Sequence, residues 1–110
     1  MMFETRTEGH YTVLALTGEV DLEVSPAARK QILASLNDSQ PLLVDLSAVD
    51  YIDSSGVASL VEGYQLARSR RLDFALVGVS EAAMRVLRLA RLDRVFPIYA
   101  SVRERMAQAS

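Results

Sequence analysis

The sequence predicts an α/β domain in which a mixed parallel and antiparallel sheet of about four or five strands packs with about four helices. Three observations predict it. The chain opens on two weakly and then better alternating segments separated by Glu8-Gly9-His10, the pattern of a hairpin. Two later runs, Leu42–Leu46 and Phe74–Val77, are almost continuously apolar, as strands covered on both faces are. Stretches with apolar residues at helical spacing follow or separate these runs. At 110 residues, half of them apolar and 24% charged, the chain is expected to form one domain over 1–110 with a single core.

Taken in order, Phe3–Glu8 and Tyr11–Leu16 are the arms of the hairpin, and His10, the only histidine, falls at its turn. Gly18 breaks the second arm and predicts a bend or a close backbone approach. Glu19 and Asp21 then stand in the strand's exit loop. Ser25-Pro26 reads as a helix start, with Ser25 capping free amides and Pro26 at the first helical position. Ala28, Ile32, Leu33 and Leu36 form the inner stripe of this helix, and Asn37–Pro41 ends it.

Leu42–Leu46 is the expected central strand, and Val49–Ile52 leads out of it into Asp53-Ser54-Ser55-Gly56. From Val57, the positions Val57, Leu60, Val61, Tyr64 and Ala67 recur at helical spacing to about Arg70. Arg68, Arg70 and Arg71 fall at the C-terminal end of that helix, where cations suit its dipole. Asp73–Val79 is a further strand closing at Gly78. Ser80 caps a third helix with Glu81 in its first turn and Ala83, Met84, Leu87 and Ala90 on its inner face. Val95–Tyr99 is a short last strand, and Ser101 opens a terminal helix through Val102 and Met106.

Composition excludes several kinds of chemistry. There is no cysteine, so disulfide and thiolate chemistry are absent and a cytoplasmic location is expected. No apolar stretch reaches the length of a membrane span, and Met1–Arg6 lacks the basic and apolar regions of a signal peptide. The net charge of -2 hides a division: residues 1–66 hold Arg6, Arg29 and Lys30 against ten acids, whereas residues 67–110 hold nine arginines against four. Such a split marks either a surface that meets an acidic partner or anionic lipid, or two solvated helix faces of unlike composition. The arginines are not interleaved with aromatic residues, so direct nucleic-acid binding is not expected.

Asp53-Ser54-Ser55-Gly56 is the stretch that can carry function. A serine nucleophile would need a base, and the only histidine is in a distant turn, so an enzyme is not expected. The segment is not a Gly-x-Ser-x-Gly elbow, and no Gly-rich loop with a lysine is present. No cofactor or metal is expected: Asp45, Asp50 and Asp53 could offer oxygens to magnesium, but loop acids usually shape turns and caps. Asp45 resembles a phospho-aspartate acceptor, yet the late lysine such a receiver needs is missing. As a regulatory site the segment makes better sense. Ser54 is the natural cap of a helix starting near Ser55, and Gly56 leaves room for a partner to approach. A phosphate there would meet free amides at the helix start while adding charge beside Asp53 and Asp21. Capping arguments alone leave Ser54 and Ser55 equally open.

Thr17-Gly18-Glu19-Val20-Asp21 and Val44–Val57, with Asp53-Ser54-Ser55-Gly56 within it, resemble the two signature segments of the STAS family. More narrowly they resemble those of bacterial anti-sigma-factor antagonists, and the resemblance covers nearly the whole chain. It implies a small mixed sheet with helices packed on it. It also implies that Ser54 is the phosphoacceptor, flanked by Asp21 and Asp53, with Ser55 and Gly56 completing the partner-binding site. The implied partners are an anti-sigma factor that is also a serine protein kinase, which the unphosphorylated form binds so as to free a sigma factor, and a phosphatase that resets the switch. Related modules serve as small cytoplasmic subunits of lipid-transport ABC complexes, so a permease and an ATPase are the alternative partners.

Overall fold

The computed structural model describes residues 2–108; the predicted domain's outermost residues, 1, 109 and 110, lie outside them. β1 (Met2–Glu8) and β2 (Tyr11–Val20) form the hairpin. They are followed by α1 (Ser25–Asn37), β3 (Leu42–Ile52), α2 (Ser54–Ser69), β4 (Phe74–Val77) and α3 (Glu81–Leu89). A single 3-10 turn at Leu92–Arg94, β5 (Ile98–Tyr99) and α4 (Val102–Gln108) complete the chain. The five strands lie in the order β1-β2-β3-β4-β5. β1 and β2 pair antiparallel; β2-β3, β3-β4 and β4-β5 are parallel.

This order explains the layering. Each parallel step adds its strand on the same side of the last, and a right-handed crossover then puts every connecting helix on one face. Leu14, Leu16, Val44, Leu46 and Leu76 point to that face and are buried beneath Ile32, Leu36, Leu60 and Leu87 of α1, α2 and α3. Each such side chain contributes roughly 1.5–3 kcal/mol of burial. The alternate residues Tyr11, Val13, Leu43, Ala75 and Val77 form a smaller cluster on the other face, under Tyr99, Val102 and Met106. The near-continuous apolar runs of β3 and β4 are thus strands with two covered faces.

Four expectations are corrected. Glu19 is not in an exit loop: Gly18 interrupts the pattern as expected, at φ +80° where the β2-β3 register shifts, but β2 runs on through Glu19 to Val20. Leu42–Leu46 and Val49–Ile52 are one strand of 11 residues. Ser25 does not cap α1; it is buried as the first helical residue, one place before Pro26, and Asp21 shapes the turn in its stead. Residues 95–97 are not strand, because the 3-10 turn displaces pairing to Ile98 and Tyr99. By contrast, Ser80 caps α3 as expected, accepting from the Ala83 amide at 3.2 Å.

Candidate functional site

The unequal lengths of the strands build the site. β4 pairs with β3 only over Leu42–Asp45, whereas β2 accompanies β3 to its end, with Val20 opposite Ile52. The ends of β2 and β3 therefore extend past β4 as a two-stranded ribbon. The next residue on each strand is an aspartate, and the Asp53 amide donates to the Val20 carbonyl at 3.2 Å. Asp21 and Asp53 are thereby delivered side by side from positions 32 residues apart in sequence.

Each aspartate closes a turn. Asp21 Oδ1 accepts from the amides of Glu23 (3.1 Å) and Val24 (3.3 Å), and its carbonyl accepts from Ser25 N at 2.8 Å. Asp53 is the N-cap of α2: its Oδ1 accepts from the amides of Ser55 (2.9 Å) and Gly56 (3.2 Å). The same oxygen accepts from the Ser55 hydroxyl at 2.5 Å, and Ser25 Oγ donates to Ser55 Oγ at 3.0 Å. The Ser55 hydroxyl, the largest influence, together with the amides of Gly56, Ser55 and Leu22, holds the Asp53 carboxyl below the usual aspartate range against the opposing effect of desolvation.

Ser54 is therefore not the cap that the sequence suggests. It is the first residue of α2, exposed, and its hydroxyl takes no part in the Ser25–Ser55–Asp53 chain. Two adjacent serines have become unlike: Ser55 is half-buried and committed to hydrogen bonds, and Ser54 stands in solvent. The amides at the helix start, which the capping argument left for a phosphate, already belong to Asp53: Ser55 and Gly56 donate to its side chain and Val57 to its carbonyl. A phosphate on Ser54 would thus meet a carboxylate rather than a vacant cradle.

Gly56 is also placed differently from expectation. It is buried, and a Cβ there would stand 2.7 Å from Ile52 Cγ1 and 3.0 Å from Val20 Cγ1 and the Val20 carbonyl oxygen. Its missing side chain lets α2 press against the ribbon; it does not clear ground for a partner.

Sequence reasoning missed two features of the surroundings. Leu22, between the two acid turns, is 72% exposed, and Tyr51 just before the site is 50% exposed. In the sequence each merely continues a strand or loop, and only the protruding ribbon exposes them. The second feature is a groove of about 580 Å³ that begins at Ser54 and runs between α2 and α3. Val57, Ala58 and Val61 form one wall and Val86 and Ala90 the other. Half of that signal is legible as helical spacing, but Val61 and Ala90 read there as inner-stripe residues, and Val86 has no assigned role.

His10 stacks on Tyr11 with ring centroids 4.4 Å apart, at the hairpin end of β2. Asp21 follows the other end, ten residues on, so the separation is on the order of 30 Å at the usual rise per strand residue. The imidazole cannot serve either serine as a base from there. Among the described residues no group of three or more His, Cys, Asp or Glu side chains is placed to hold a metal, and no helix is long and apolar enough to cross a membrane.

This fold has known counterparts. The family model described as STAS domain matches residues 2–105. The anti-sigma F factor antagonist of Paenibacillus polymyxa is 27% identical over 103 residues, covering 90% of this chain and 88% of that protein. The anti-sigma-B factor antagonist of Listeria monocytogenes is 25% identical over 84 residues, covering 76% of this chain and 74% of that one. A crystal structure of an anti-sigma factor antagonist from Mycobacterium paratuberculosis superposes with a TM-score of 0.85 at 28% identity, over 97% of this chain and 92% of that chain.

Proposed function

The chain belongs to the STAS domain family, and we propose that within it the protein acts as an anti-sigma-factor antagonist switched by phosphorylation of Ser54. The unphosphorylated form binds an anti-sigma factor that is also a serine kinase, and so releases a sigma factor in the cytoplasm. The kinase transfers the γ-phosphoryl group of ATP to Ser54 Oγ, leaving ADP and a proton, and a phosphatase removes the group by hydrolysis. This chain contributes the acceptor and the binding surface and performs no catalysis.

The observation that carries the reading is the contrast between the two serines: Ser54 is exposed at the head of α2, while Ser55 is held by Ser25 and Asp53. The names of the antagonist relatives agree with it. The physics of the switch follows from the neighbours. A phosphate adds about 1.5–2 negative charges directly beside Asp53, which is held in its charged form, with Asp21 on the adjoining strand end. Burying that concentration of like charge against a partner fitted to the neutral hydroxyl opposes binding. The fold itself tolerates the group, because Ser54 makes none of the bonds that cap α2.

The test is to incubate the protein with the kinase encoded beside it and ATP, and to map the product by mass spectrometry. Phosphate on Ser54 is expected, and no phosphate in a Ser54→Ala variant. Modification of Ser55 alone, or no modification by any co-encoded kinase, would overturn the assignment. Recovery of a permease and ATPase from membranes, in place of a sigma regulator, would instead assign the chain to the transporter reading.

A further inference from the structure

We infer that the groove between α2 and α3 is the seat of an apolar helix with an acidic outer flank, supplied by the protein that engages Ser54. The identity of that protein rests on the proposed function; the chemistry of the groove does not. Its walls, Val57, Ala58 and Val61 against Val86 and Ala90, are apolar: Ala58 and Ala90 are exposed, Val61 and Val86 half-buried, and Val57 forms the floor. Leu89, 81% exposed, extends the α3 wall outward. From Ser54 to Gln65 the α2 wall is about 16 Å long at the usual helical rise, enough for about three turns of a second helix. Two parallel ridges of this kind take apolar anchors at i, i+3, i+4 and i+7.

The charges around the groove choose the flank of the occupant. Its only carboxylate, Glu62 on the α2 side, is held in a two-pronged pair by Arg29 of α1. On the α3 side Arg85 and Arg88 are exposed beside Leu89, with Arg91 just beyond the helix. Among the described residues none of these three arginines is in an ion pair, although Glu81 shares the surface of Arg85 and Arg88. A helix seated on the apolar strip would thus meet a neutralised carboxylate on the α2 side and, beyond the apolar α3 wall on the outer surface of that helix, unpaired guanidinium groups, which complement carboxylates on its outer flank and oppose lysines. Ser54 forms the head of the groove, so a phosphate there sets its negative charge against the same acidic helix. The switch and the docking strip are one continuous surface.

The experiment titrates the full-length, isotopically labelled protein with two capped peptides of about 14 residues. Both carry leucine at i, i+3, i+4 and i+7; one has glutamate at the remaining polar positions and the other lysine. The glutamate peptide is expected to shift the amides of Val57, Ala58, Val61, Val86, Leu89 and Ala90, and to bind at least about tenfold more tightly than the lysine peptide at low salt. Ala58→Glu, an exposed helical position that should leave folding intact, should abolish those shifts. The double variant Arg85→Glu with Arg88→Glu should reverse the preference, and Ser54→Asp should weaken the glutamate peptide. Equal or tighter binding of the lysine peptide, shifts outside the groove, or no saturable shift at all would overturn the inference. So would phosphatidylglycerol vesicles that bind through Arg85 and Arg88 where the peptide does not. A failure of Ser54 phosphorylation, with the peptide results intact, would overturn the proposed function and leave the groove assignment standing.

Discussion

Asp53 Oδ1 receives three donors, the amides of Ser55 and Gly56 and the hydroxyl of Ser55. That one oxygen fixes the start of α2 and commits the Ser55 hydroxyl to the cap. Because the bonds favour its charged form, the carboxyl titrates below an ordinary aspartate. Its stabilising effect is therefore complete above the unfolded value of about 3.9 and is lost as pH falls through the lower folded value. Asp53→Ala should lower the urea midpoint at neutral pH, and the gap to the native protein should narrow as the pH falls below the unfolded value. A gap independent of pH would mean that the carboxylate is not what holds the cap. Gly56→Ala should destabilise the protein by about 1–3 kcal/mol, read from urea unfolding, because the added methyl must displace Ile52 or Val20. The sequence made Asp53-Ser54-Ser55-Gly56 legible as a strand-to-helix junction with hydroxyls at a helix start. It did not separate the two serines, because that depends on Ser25, a residue 30 positions away that only the folded β2-β3 ribbon brings to Ser55. The same distance concealed the purpose of Gly56, whose constraint comes from Val20 on the neighbouring strand.

The helices and strands differ in how local their causes are. α3 was legible to its first residue because Ser80 both caps it and precedes an acidic first turn. Ser80 also donates to the Val49 carbonyl at 2.7 Å, so the cap fastens α3 to the extended part of β3. Ser80→Ala should cost about 1–2 kcal/mol, measured by urea unfolding. α4 is short and its attachment to the second sheet face was not foreseeable. Arg105 lies over the rings of Tyr11 (5.5 Å) and Tyr99 (5.3 Å) and pairs with Asp73 at 3.1 Å, which also accepts from the Tyr11 hydroxyl. Those four residues come from β2, β5, α4 and the approach to β4, so no window of sequence contains them. Arg105→Ala should cost about 1–2 kcal/mol. Amide exchange in α4 should accelerate while protection around Ser54 stays unchanged, since α4 covers the opposite face. Faster exchange at Ser54 as well would show that the two faces are coupled.

The whole molecule separates support from function. One face of the sheet carries α1, α2 and α3 and the other carries α4, while the site stands beyond the sheet's body on strand ends that β4 does not reach. A group added to Ser54 can therefore alter a surface without entering the core. The charge division read from the sequence takes a spatial form: acids gather at the ends of β2 and β3, and unpaired arginines lie along and beyond α3, with Ser54 at the head of the groove that α3 helps to form. The most direct measurement is the affinity of the co-encoded anti-sigma factor for the same preparation before and after phosphorylation. The account predicts that a single phosphate on Ser54 weakens binding by about 100-fold or more, which corresponds to about 2.7 kcal/mol of repulsion and lost fit. Equal affinity for the two forms would contradict it.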